Sequence, residues 1–88
     1  MIRKKVMIRN KLGLHARPCS MFVKTASNFR SEIKLEKDEM LVNGKSIMGV
    51  MMLAAECGSE LELLIEGVDA EEALSTLEGL IESGFGEE

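Results

Sequence analysis

The chain of 88 residues has no tryptophan, no tyrosine, one proline, one histidine, two cysteines and three phenylalanines. With so few rings to stack on bases and a net charge of −4, it is a poor fit to nucleic acid. Cys19 and Cys57 are far apart and form no CxxC pair, so neither a disulfide framework nor a zinc site is expected. A single histidine with no positioned nucleophile cannot assemble a hydrolytic triad. No run approaches the roughly 20 consecutive apolar residues of a membrane span. The opening Met1-Ile2-Arg3-Lys4-Lys5-Val6 lacks the apolar core of a secretory signal. The expectation is a cytoplasmic protein with no membrane contact, no metal and no cofactor.

Charge is distributed unevenly. Residues 1–44 hold ten Lys or Arg against four Asp or Glu, whereas residues 45–88 hold one against eleven. The histidine, His15, lies in the basic part, which suits an acidic protein partner; two merely solvated faces would give the same count.

The length allows one modest core, hence a single domain over residues 1–88. Ile2, Val6 and Ile8 nearly alternate with polar residues, which predicts a first strand. From Ala16 the apolar residues Cys19, Phe22, Val23, Ala26 and Phe29 follow the three-and-four spacing of an amphipathic helix. Ile33 and Leu35 mark a second strand, and Met40-Leu41-Val42 a third after a turn at Lys37-Asp38-Glu39. Ser46 stands at the N-cap position of a short helix over Ile47, Val50, Met51 and Ala54. Leu61, Leu63 and Ile65 form a fourth strand ending at Gly67. Asp69 and Glu72 have capping-box spacing ahead of a third helix over Ala70, Ala73, Leu74, Leu77, Leu80 and Ile81, stopped at Gly84. The order βαββαβα predicts an α+β fold, a two-layer open-faced sandwich. A mainly antiparallel four-stranded sheet would be covered on one face by three helices, with its other face in water.

Gly13-Leu14-His15-Ala16-Arg17-Pro18 places the imidazole where a strand gives way to a helix. There it faces backbone N–H groups of the first turn, those of Ala16 and Arg17, beside the Arg17 guanidinium and a helix-starting proline. Positive neighbours disfavour added charge on the ring and keep a lone pair available; they would also stabilise a phosphate once it is attached. An isolated histidine serving as a loop or cap residue is the competing reading.

This hexapeptide resembles the active-site motif of the HPr family, the histidine phosphocarriers of the bacterial phosphoenolpyruvate-dependent phosphotransferase system. Gly44-Lys45-Ser46-Ile47-Met48-Gly49-Val50-Met51 is similar to the regulatory serine region of the same family. The resemblance covers essentially the whole chain. It implies that His15 takes phosphate from phosphorylated enzyme I and passes it to enzyme IIA domains, with Arg17 assisting and with Nδ1 as the phosphorylated nitrogen. It implies a monomer that is a shared substrate of enzymes and not itself an enzyme. It also implies that Ser46 is a target of HPr kinase/phosphorylase, the alternative being a plain capping serine.

Met21, Ile47, Met48 and Met51 are candidates for an adaptable apolar partner surface. Ile47 and Met51 are equally compatible with filling core beneath the short helix. Cys19 stands where the family usually has a small residue and is expected to behave as a small buried apolar group. The stretches Asn10-Lys11-Leu12-Gly13 and Ser83-Gly84-Phe85-Gly86-Glu87-Glu88 look more like the nitrogen-branch paralogue, NPr, which leaves a regulatory phosphocarrier as the alternative to a sugar-linked one. A small α+β binding module without phosphoryl chemistry is the remaining possibility.

Overall fold

The computed structural model describes residues 1–87. Strand β1 spans Ile2–Met7, helix α1 Ala16–Ala26, β2 Glu32–Lys37, β3 Met40–Asn43, α2 Ile47–Met52, β4 Glu60–Glu66 and α3 Ala70–Glu82. A short 3-10 turn at Gly84–Gly86, absent from the sequence-based expectation, follows α3. The four strands form one sheet in the order β1-β4-β2-β3, every neighbouring pair antiparallel.

Alternation decides which face each residue takes. Val6, Ile33, Leu35, Leu61, Leu63 and Ile65 point inward and are buried, and the register pairs Val6 with Leu61, Leu35 with Leu63 and Ile33 with Ile65. Against them lie Cys19, Phe22, Val23 and Ala26 of α1 and Ala70, Ala73, Leu77 and Ile81 of α3. The opposite face carries Arg3, Lys34 and Glu62, with an Arg3–Glu62 ion pair at 3.5 Å. Leu64 is the exception on that face. It pairs in register with both Arg3 and Lys34 and is buried, as expected when long charged side chains lay their methylene stems over an apolar neighbour. On the edge strand, Lys4 reaches Glu78 of α3 at 3.5 Å.

The β2–β3 connection is a two-residue turn in which Asp38 and Glu39 both have positive φ, 50° and 69°. That mirrored turn matches the twist of the paired strands. Asp69 does not cap α3 with its side chain as its spacing to Glu72 predicts. Its carboxylate instead accepts hydrogen bonds from the backbone N–H groups of Arg30 (2.9 Å) and Ser31 (3.0 Å) and from the Ser31 hydroxyl. Three donors on the β2 approach outweigh one at its own helix end, and the bonds pin α3 to the α1–β2 loop.

Two connections shape the region where β1 leads into α1. Ile8 exchanges backbone hydrogen bonds with the β4 approach, donating to Ser59 and accepting from Gly58. Leu14 donates to the carbonyl of Ala55 at 2.8 Å, which ties the residue before His15 to the chain leaving α2.

Candidate functional site

His15 is the N-cap residue of α1, with extended backbone (φ −81°, ψ −171°), and its side chain is not used as a cap. Its carbonyl accepts the Cys19 N–H at 3.1 Å, and Pro18 has no N–H to offer. Of the first-turn donors this leaves those of Ala16 and Arg17, which have no acceptor among the described residues. Two unengaged N–H groups therefore stand at the positive end of an 11-residue helix, in the turn that follows His15. Gly13 makes the approach possible. Its φ of +70° lies in the left-handed region, and a Cβ there would collide with the Ala55 carbonyl and come within 2.9 Å of the Glu56 Cα.

The imidazole also has a partner that sequence reasoning missed. The Glu87 carboxylate lies against His15 Nε2, 3.0 Å from Oε2 and 3.2 Å from Oε1. Arg17 Nη1 donates to the same Oε2 at 2.9 Å, and Asn10 Nδ2 donates to Oε1 at 3.0 Å. Glu87 is the most enclosed of the charged group: its side chain is 16 % exposed, against 37 % for His15 and 59 % for Arg17. The hydrogen bond from the His15 ring, helped by those from Asn10 and Arg17, holds the Glu87 carboxyl below the usual carboxylate range, against partial desolvation that pushes it up. An ionised carboxylate only accepts, so the Nε2 facing it carries the proton.

The tail reaches the site through an unusual turn. Gly84, Phe85 and Gly86 all have positive φ, and Phe85 is completely buried. A left-handed conformation costs a residue with a side chain roughly 1–2 kcal/mol, which burial of the ring offsets. With Phe85 fixed in the core, Glu87 lies over His15. A lone phenylalanine between two glycines near the end of the chain was the available sequence signal.

Asn10 is 1 % exposed and forms the floor. Its Nδ2 also donates to the Gly13 carbonyl at 2.7 Å, while its buried Oδ1 has no partner among the described residues. Because both contacts of Nδ2 are acceptors, they fix the orientation of the amide.

The other predicted residues are more dispersed. Ser46 is the N-cap of α2, its Oγ accepting the Gly49 N–H at 3.1 Å. Of α2 only Val50 is buried; Ile47 (45 %), Met48 (76 %) and Met51 (43 %) are exposed, as is Met52, which the sequence reading did not single out. Met21 of α1 is half-buried and packs against the core. Helix α1 packs against α2, so these residues belong to adjoining elements. Cys19 is buried with its Sγ 3.3 Å from the Leu14 carbonyl, and burial pushes its thiol up, away from reactive thiolate. Among the described residues no metal-ligating cluster occurs, and no helix is long and apolar enough to cross a membrane.

Chemically, the arrangement offers one nucleophilic ring nitrogen, two backbone donors, a guanidinium and a carboxylate on the far nitrogen. A family model described as "PTS HPr component phosphorylation site" matches residues 2–83. The chain is 52 % identical over 88 residues to the phosphocarrier protein HPr of Treponema pallidum, covering all of both chains. It is 46 % identical over 82 residues to the HPr-like protein Crh of Bacillus subtilis, covering 93 % of this chain and 96 % of that one. A solved HPr structure from Thermoanaerobacter tengcongensis superposes with a TM-score of 0.96 at 53 % identity, covering 100 % of this chain and 99 % of that one. An HPr dimer from the same organism superposes at 0.80, also at 53 % identity, covering 99 % and 100 %. With the fold, the His15 loop and the full-length likeness in agreement, the chain belongs to the HPr family of phosphocarrier proteins of the phosphotransferase system.

Proposed function

We propose that this chain accepts a phosphoryl group on His15 from phosphorylated enzyme I and donates it to enzyme IIA domains of the sugar-linked phosphotransferase system. HPr kinase/phosphorylase would modulate the transfer at Ser46. The observation that carries the reading is the placement of His15 at the mouth of α1, with the unengaged N–H groups of Ala16 and Arg17 and the Arg17 guanidinium beside it. These donors suit a dianionic phosphate, and their positive field favours its retention. The exposed Ile47, Met48 and Met51, with Met52 beside them, give partners of different shape a surface that can repack. A phosphate on Ser46 would add about −1.5 to −2 charge at the head of that surface, where it opposes an acidic partner.

Incubation with enzyme I and phosphoenolpyruvate should add one phosphate that is lost in acid and kept in alkali, as a P–N bond requires. His15→Ala should abolish the addition; labelling that survives the substitution, or an acid-stable product, refutes the reading. The nitrogen-branch alternative shares every step at His15 and draws on the tail that carries Glu87. Assaying the phosphorylated protein against sugar-type and regulatory IIA domains separates the two.

A further inference from the structure

We infer that Met48, Met51 and Met52 of α2 form a reversible oxidation site: a peroxide converts their thioethers to sulfoxides, which makes the partner surface polar and weakens phosphoryl transfer while the fold and His15 stay intact. The inference rests on the phosphocarrier reading, in which α2 meets the partners.

Methionine is ordinarily among the residues most often buried. In this chain Met1, Met7, Met40, Met48, Met51 and Met52 are all exposed, and the remaining methionine, Met21, is half-buried. The core is built from Leu, Ile, Val, Phe, Ala and Cys. A change confined to exposed thioethers therefore alters the surface and spares what holds the fold. Three of these methionines are gathered on α2. Met51 and Met52 lie three and four residues after Met48, so the three share one face of the helix. They are 76 %, 43 % and 64 % exposed in the order Met48, Met51, Met52, whereas Val50, on the opposite side, is the residue that α2 buries. The thiols are placed differently: Cys19 is buried with its Sγ on the Leu14 carbonyl, and the exposed Cys57 lies beyond α2 with its Sγ toward the Arg9 carbonyl.

The chemistry needs only the sulfur and the oxidant. The thioether lone pair attacks one oxygen of hydrogen peroxide, an S–O bond forms as the O–O bond breaks, and the departing hydroxide takes the proton from the transferred oxygen. Methionine is oxidised to its sulfoxide and peroxide is reduced to water. The product is polar and chiral where a flexible apolar group stood. A partner that packs on this face then covers an acceptor for which it has no donor, and docking weakens. Methionine sulfoxide reductases, one for each epimer, return the thioether, which makes the change reversible.

The test exposes the unphosphorylated protein to hydrogen peroxide, removes the oxidant, and measures transfer from phosphorylated enzyme I beside peptide masses and a backbone amide spectrum. Oxygen should be found on Met48, Met51 and Met52 in a protein that remains folded. The KM for this protein as substrate should rise by about 10- to 100-fold at nearly constant kcat, the pattern of lost docking with intact chemistry. Methionine sulfoxide reductases A and B with dithiothreitol should restore KM. Dithiothreitol alone, which returns a reversibly oxidised Cys57 to its thiol, should not. A variant combining Met48→Leu, Met51→Leu and Met52→Leu keeps apolar side chains of similar volume without sulfur, so its KM should be the same before and after peroxide. A variant combining Met7→Leu and Met40→Leu should lose affinity on oxidation as the wild type does. Unoxidised α2 methionines, an unchanged KM in the oxidised protein, loss of the folded amide spectrum, recovery with dithiothreitol alone, or undiminished sensitivity in the combined α2 variant overturns the inference. If the untreated protein takes no phosphate from enzyme I, the carrier reading fails, while the peptide masses still decide whether the α2 methionines are oxidised and restored.

Discussion

Leu14 donates its backbone N–H to the carbonyl of Ala55 at 2.8 Å, and this bond joins the loop that carries His15 to the segment leaving α2. The approach is close enough that residue 13 must be glycine, both for its φ of +70° and for lack of room beside Ala55. Gly13→Ala is therefore expected to lose roughly 1–2 kcal/mol from the left-handed backbone alone, with the collision adding to it. A lowered urea midpoint checks the first effect. Slowed phosphorylation of the folded fraction checks the second, because the loop must shift His15 to make space. An unchanged midpoint would show that the loop yields without cost.

Arg17 is well exposed and, among the described residues, its side chain bonds only to the Glu87 carboxylate, so Arg17→Ala should leave the melting temperature close to wild type. Transfer should nevertheless slow by on the order of 10²-fold, the usual consequence of removing one donor to a developing anion. Arg17→Lys restores charge without the planar fork and should recover only part of the rate. Wild-type kinetics in Arg17→Ala would reduce Arg17 to a solvated charge.

The framework was legible because each element announces its own period. Phe22, Val23 and Ala26 repeat as a helix does, while Leu61, Leu63 and Ile65 alternate as a strand does, and the structure buries all six. His15 and Arg17 were visible together because the chain places them two residues apart. Glu87 was not, since it lies 72 residues from His15 and nothing local states where a tail will dock. Asp69 failed for a related reason: its spacing to Glu72 is a local signal, but the donors that claim its carboxylate come from Arg30 and Ser31. The exposure of Ile47 and Met51 depended on how α2 sits on α1, which periodicity leaves open over a helix of six residues.

Asp69 makes stability depend on acid. The hydrogen bond from the Ser31 hydroxyl, with the Arg30 and Ser31 N–H groups, holds its carboxyl below the ordinary value, against a smaller opposing desolvation. A carboxyl lowered in the folded state favours folding above the unfolded value, about 3.9, and that contribution fades as pH falls through the lower folded value. Asp69→Ala should accordingly be less stable than wild type at neutral pH, and the gap should narrow in urea melts taken stepwise below about pH 4. A gap that stays constant down to pH 2 would mean that Asp69 acts through shape and not through its charge.

Ser46 caps α2 through the Gly49 N–H, and a comparison of two substitutions separates that role from regulation. Ser46→Ala removes the cap and should cost about 1 kcal/mol, whereas Ser46→Asp can still accept the same N–H. If Ser46 serves the helix alone, phosphorylation by enzyme I should follow stability, with Ala the slower variant. If charge at this position regulates transfer, the order reverses, because the carboxylate stands at the head of the helix that exposes Met48 and Met51. A carboxylate carries less charge than a phosphate, so Ser46→Asp should slow transfer only partly. The difference should be greatest at low salt, where screening over about 10 Å at 0.1 M is relaxed. Equal rates for Ser46→Asp and wild type under those conditions would remove the argument for a switch and leave Ser46 as a cap.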